Sequence, residues 1–165
     1  MRILVFSDSH SGLSYMRRCC QALKPDGIIH LGDYYDDAEV IRDENPRANV
    51  WLLPGNCDRY RAPLDAPEIL ISTIGGVRFY LTHGHKHNVK ATLLSLIRDA
   101  RAANAGVVLY GHTHEAYVDE LEDGLRIMNP GSCGYFGGSA GLIEVNNGTV
   151  TTFRLLRECD LEEFV

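Results

Sequence analysis

A chain of 165 residues with 45% hydrophobic content is long enough to bury a substantial core, and its size makes one domain spanning 1–165 the expectation. Its formal net charge of −6, with no basic stripe interleaved with aromatics, argues against bulk nucleic-acid binding but leaves a small phosphate ester open. No apolar run approaches the roughly 18 residues that a membrane span needs, and nothing at the start reads as a signal peptide, so a cytoplasmic protein without a membrane partner is expected. Cys19, Cys20, Cys57, Cys133 and Cys159 are odd in number and form no CxxC pair, which favours reduced thiols over a disulfide framework or a zinc knuckle.

Arg2 to Ser7 is a nearly continuous apolar run that ends in a polar cluster, the pattern of a buried strand entering a loop. Leu13, Met16, Cys20 and Leu23 recur at helical spacing, with Pro25 as a stop, which predicts a helix over Gly12 to Lys24. Gly27 to Leu31 is a second strand running into Gly32-Asp33, followed by a helix over Asp36 to Asp43. Asn49 to Leu53 is a third, ending in Pro54-Gly55-Asn56-Cys57-Asp58. Glu68 to Thr73 and Val77 to Thr82 read as a hairpin around Gly75-Gly76, and the second strand delivers His83-Gly84-His85. Val89, Leu93, Leu96, Ile97 and Ala100 share one helical face, and Gly106 to Tyr110 is a strand ending in Gly111-His112-Thr113-His114. Strand-like runs at Tyr117 to Leu121, Leu125 to Met128, Ala140 to Val145 and Val150 to Leu156, with turns at Asp123-Gly124 and Asn147-Gly148, predict an antiparallel C-terminal third. The acidic stretch Glu158 to Glu163 reads as a solvated tail.

Five strand ends thus deliver ligand-type side chains, where open α/β sheets put their sites. Asp8 and His10 lie two residues apart, and an extended backbone would point both toward one ion. Asp33 has two carboxylate oxygens and can bridge a pair of cations. Asn56, His83, His112 and His114 add an amide oxygen and three imidazoles, a set suited to Mn, Fe, Zn, Ni or Co. His30, inside a strand, reads as a hydrogen-bonded structural histidine, and His87 as an exposed one. Asn129-Pro130-Gly131-Ser132 is adequately explained as a turn.

The ordered set Asp8-Ser9-His10, Gly32-Asp33, Gly55-Asn56-Cys57-Asp58, His83-Gly84-His85 and Gly111-His112-Thr113-His114 resembles the five-part signature of the calcineurin-like metallophosphoesterase superfamily. The later Asn-Pro-Gly-Ser segment resembles its small bacterial and archaeal phosphodiesterase branch. That resemblance implies an α/β fold with two mixed β-sheets packed face to face and helices outside. It implies two divalent transition-metal ions, manganese foremost, one held by Asp8, His10, Asp33 and His114 and the other by Asp33, Asn56, His83 and His112. It further implies hydrolysis of a small phosphodiester by a metal-activated hydroxide, with Asn56, Asp58, His83 and His85 serving catalysis and Asp58 orienting its neighbours. Many family members carry histidine where this chain has Cys57, a poorer acid for the leaving group. A protein-binding scaffold of the same fold, like the retromer subunit similar to this branch, and a phosphomonoesterase are the alternatives. A homo-oligomer is compatible with the sequence, which does not fix the oligomeric state.

Overall fold

The computed structural model describes residues 1–135 and 137–164. In chain order its regular elements are strand β1 (Arg2–Phe6), helix α1 (Leu13–Leu23), β2 (Gly27–His30), α2 (Tyr35–Glu44), β3 (Asn49–Leu52), β4 (Ile69–Ile74) and β5 (Val77–Thr82). Then come a 3-10 turn (His85–His87), α3 (Leu94–Ala102), β6 (Val107–Leu109), β7 (Tyr117–Glu120), β8 (Arg126–Asn129), β9 (Ser139–Asn146), β10 (Thr149–Arg157) and a closing 3-10 segment (Glu158–Phe164).

The strands form two five-stranded mixed sheets, in the orders β10-β9-β1-β2-β3 and β4-β5-β6-β8-β7. In the first, β1, β2 and β3 run parallel; in the second, β5, β6 and β8 do. Alternation along each strand explains the layers. Ile3 and Val5 of β1 join Phe79, Leu81, Val107, Leu109 and Met128 of the other sheet in one buried cluster, so the sheets pack face to face. Leu4 and Phe6 point the opposite way, onto Met16 and Leu23 of α1 and Ile41 of α2. Tyr80, Val108 and Ile127 likewise meet Leu96 and Ala100 of α3 outside the second sheet. Both faces of the central strands are therefore covered, as their unbroken apolar runs require. No helix among the described residues is long and apolar enough to cross a membrane.

The expected two-sheet α/β fold is observed, as is the hairpin, in which Gly75 and Gly76 both take positive φ (60° and 88°) between the paired residues Ile74 and Val77. Three local expectations need correction. The helix predicted from Val89 begins only at Leu94, because Gly84 and Asn88 adopt left-handed φ and the intervening chain is a 3-10 turn followed by irregular turns. The C-terminal third is not wholly antiparallel: β8 pairs parallel with β6, and β7 is an excursion to the sheet edge. The acidic segment is not a free tail, since Leu161 is buried in the cluster that contains α1 and Phe164 packs against it.

Candidate metal centre

Six parallel strands, β1, β2 and β3 in one sheet and β5, β6 and β8 in the other, end on the same rim, and the loops that leave them turn sharply. Asp8, His10, Asp33, His112 and His114 all have positive φ, between 42° and 71°. For residues with a Cβ this costs roughly 1–2 kcal/mol each, a strain that persists only where the surroundings impose it. The idea that an extended backbone aligns Asp8 with His10 is thereby corrected: left-handed kinks aim them. Two glycines let the loops close. A Cβ on Gly55 would lie 2.1 Å from Asp33 Oδ1, and one on Gly111 would lie 2.0 Å from Ser7 Oγ.

The kinks bring ligand atoms of Asp8, His10, Asp33 and His114 within 4.8 Å of one another, a group that could hold a metal ion. His114 Nε2 is 3.1 Å from Asp8 Oδ1, and His10 Nε2 is 4.0 Å from Asp33 Oδ2. Asp8 Oδ1 and His10 Nε2 are buried and accept or donate no hydrogen bond among the described residues. Beside them His83 Nδ1–H donates to the Leu31 carbonyl at 2.9 Å, which leaves Nε2 as a bare lone pair. That nitrogen faces Asn56 Oδ1 at 3.1 Å and Asp33 Oδ1 at 3.6 Å. Three electron-pair donors meeting without a proton between them suit a cation and little else. Asp33 belongs to both groups, one oxygen toward each. His112 stands edge-on to His83, with ring centroids 5.1 Å apart, and its backbone N–H donates to Asp8 Oδ2 at 3.0 Å. His85 lies 5.4 Å from His83 and 6.1 Å from His112 by ring centroids.

Electrostatics agree with a site shaped for positive charge. Burial raises the Asp8 carboxyl to about 6 despite hydrogen bonds from Ser7 and His112 and the pull of His114. Burial also acts to raise Asp33, but His83, the Cys57 N–H and thiol, and His10 outweigh it and hold that carboxyl below its usual value. Burial pushes His83 down to about 4 and lowers His10, His85 and His112, so these imidazoles are neutral and present lone pairs at neutral pH.

Asp58 does not enter the cluster directly. Its buried carboxylate accepts the backbone N–H groups of Asp33 (2.8 Å), Tyr35 (2.9 Å) and Gly55 (2.7 Å), tying together the loops after β2 and β3. Asn129 does the same for the loop after β6, donating to the Gly111 carbonyl and the Thr113 hydroxyl, and Ser132 Oγ donates to the Asp8 carbonyl at 2.7 Å. These two are loop fasteners as well as turn residues. His30 is fully buried behind the site, accepts the Gly32 N–H at 3.3 Å and is pushed down to about 3 by burial. His87 is not exposed as expected: it is buried, 3.1 Å from the Tyr80 hydroxyl and 3.5 Å from Asp99.

Several residues at the site were not among those expected from the sequence. Ser7 Oγ donates to Asp8 Oδ2 at 2.5 Å, and Asp37 accepts from Ser9 Oγ and the Ser11 N–H at 2.7 and 2.8 Å. Tyr34 and Tyr135 flank the His10 ring at 4.8 and 5.1 Å. Asp37 could have been suspected from its place in the first turn of α2; the tyrosines could not.

A two-sheet αββα fold with buried carboxylates and imidazoles gathered at one rim defines a metal-dependent hydrolytic enzyme. The chain belongs to the calcineurin-like phosphoesterase superfamily, whose domain model matches residues 1–148. It is similar to a phosphodiesterase of Methanocaldococcus jannaschii, 29% identical over 153 residues and covering 84% of this chain and 88% of that one. The probable metallophosphoesterase YsnB of Bacillus subtilis is 32% identical over 135 residues, covering 80% and 75%. Among solved structures, Vps29 of Entamoeba histolytica complexed with zinc has a TM-score of 0.75 at 19% identity, covering 95% of this chain and 98% of that one, a likeness of fold.

Proposed function

We propose that the protein hydrolyses small phosphodiesters with two divalent cations. The observation that carries this reading is the position of Asp33 between two groups of inward-facing donors, with Oδ2 toward His10 and Oδ1 toward His83. Asp8, His10, Asp33 and His114 would hold one ion and Asp33, Asn56, His83 and His112 the other. The neutral imidazoles and paired carboxylates suit manganese first, with Ni, Zn, Fe or Co as substitutes. Such cations supply Lewis acidity toward a phosphoryl oxygen and lower the pKa of a bound water enough to make a nucleophile at neutral pH.

The chain's own residues set the geometry. Leu31 fixes the His83 tautomer, and Asp58 fixes the backbone on either side of Asp33 and Asn56. His85, neutral and adjoining a cavity with Asn56 and Arg59, faces the substrate and donates its ring N–H to a phosphoryl oxygen. Cys57 stays protonated, its thiol pushed up to about 11 by burial and by Asp33, and offers only a weak donor to the leaving group. Esters with good leaving groups, such as aryl phosphodiesters, are therefore the favoured substrates, and alkyl phosphomonoesters the poorest. The free thiols of Cys19, Cys20 and Cys133 support a cytoplasmic setting.

The test is an assay of bis(p-nitrophenyl) phosphate and p-nitrophenyl phosphate after chelation, then after re-addition of Mn, Ni, Zn, Co or Mg. Diester hydrolysis abolished by chelator and restored by Mn supports the proposal. Inactivity on every ester with every metal would instead favour a scaffold.

A further inference from the structure

One wall of the metal centre continues past His114 into a cavity of about 360 Å³ that Arg157, the last residue of β10, also lines. Pockets of this size hold a small ligand group. At the inner end the Tyr135 ring stacks on His114, with centroids 5.6 Å apart. Two hydroxyls along the cavity are already engaged: Ser132 donates to the Asp8 carbonyl and Ser139 to the Pro130 carbonyl. Neither has a proton left for a ligand.

Charge then decides what the cavity takes. Arg157 is exposed, and its guanidinium makes no ion pair or side-chain hydrogen bond among the described residues. Its neighbours differ. Arg154 pairs with Glu163, and Arg18 holds Glu158, the acid lining the same cavity, through hydrogen bonds of 2.7 and 2.8 Å. Glu158 and Glu163 are thus already compensated, and Asp160 is engaged by the Arg157 backbone N–H, whereas the guanidinium is unpaired among the described residues. The backbone at Arg157 is also fixed, because it pairs with Ser139 across the sheet and donates its N–H to Asp160 at 2.6 Å. A cation with five donors, on an anchored backbone beside a phosphate-binding centre, is suited to grip an anion.

We infer that this cavity receives one ester arm of the substrate and that Arg157 selects an arm bearing its own anionic group, a carboxylate or a second phosphate; this rests on the phosphodiesterase reading above. Arg157 is a specificity residue remote from the reacting phosphorus, so its effect falls on KM.

Three p-nitrophenyl alkyl phosphates of equal chain length separate the possibilities, one arm ending in methyl, one in carboxylate and one in phosphate. Wild type with Mn is expected to favour at least one acidic arm over the methyl arm roughly tenfold in kcat/KM, the scale of a charge-assisted contact. Arg157→Ala removes that preference and Arg157→Lys keeps part of it, while the methyl ester turns over equally in all three proteins. The better acidic arm identifies the anion. Equal wild-type rates on all three esters, or a preference that survives Arg157→Ala, overturns the inference and leaves the hydrolase reading standing. No wild-type turnover of any ester overturns both.

Discussion

Burial holds a proton on Asp8 up to about 6 in the ion-free protein, well above the ordinary carboxylate range. The folded state therefore binds this proton more tightly than the unfolded chain, and the charged carboxylate lowers stability progressively as pH rises from about 4 through 6. Asp8→Asn keeps an oxygen to accept from Ser7 and His112 but carries no charge. Without metal, this variant is expected to match wild type below about pH 4 and to melt at a higher temperature above pH 6. With excess Mn the order reverses, because an amide is the weaker ligand. Melting curves over a pH series, with chelator and then with Mn, check both halves; a metal-free wild type more stable than the variant at pH 7 would contradict them. Cys57→His tests the leaving-group argument at the same scale. It is expected to raise kcat on alkyl diesters by on the order of tenfold or more while changing aryl diesters little. An unchanged ratio between the two would show that the thiol does not limit turnover.

Elements were legible where one strand or helix could be read by itself. The strands that carry the ligands follow from apolar runs that end in polar or glycine residues, and α1 follows from the helical spacing of Leu13, Met16, Cys20 and Leu23. The register between β6 and β8 was not legible, because the Asp123-Gly124 turn announces only the β7–β8 pair and nothing local marks β7 as an edge detour. Val89 shows why α3 was read too long: it is buried with Leu96 and Ala100, so the period correctly marked burial, but left-handed Gly84 and Asn88 bring it there without a helix. The ligands were legible as residue types at strand ends. The left-handed backbone of Asp8, His10, Asp33, His112 and His114 was not, nor was the contact of Tyr135 with His10 and His114, which depends on distant loops meeting. The closing 3-10 segment was misjudged because its acids hide Leu161. Leu161→Ala is expected to destabilise the fold by about 2–3 kcal/mol, read from urea unfolding. A change under about 0.5 kcal/mol, as at an ordinary surface site, would mean the segment is not docked in solution.

At the scale of the whole molecule, two parallel triplets of strands open toward the same rim, one from each sheet. Hydrogen bonds of both backbone and side chain cross between them there, among them that from Ser132 Oγ to the Asp8 carbonyl. His112 N–H reaches Asp8, His83 reaches the Leu31 carbonyl, and Cys133 N–H reaches the Ser7 carbonyl at 3.1 Å. The ligands divide in the same way, with Asp8, His10, Asp33 and Asn56 following β1, β2 and β3, and His83, His112 and His114 following β5 and β6. Any ion held by this set is shared between the two halves of the sandwich. It should work as a clasp, and withdrawing it should loosen one end of the molecule while the opposite end stays shut. Amide hydrogen exchange is expected to quicken on chelation around residues 7–12, 32–35 and 111–115 and to remain slow at the Gly75-Gly76 hairpin, so the two ends of the sandwich would report different stabilities.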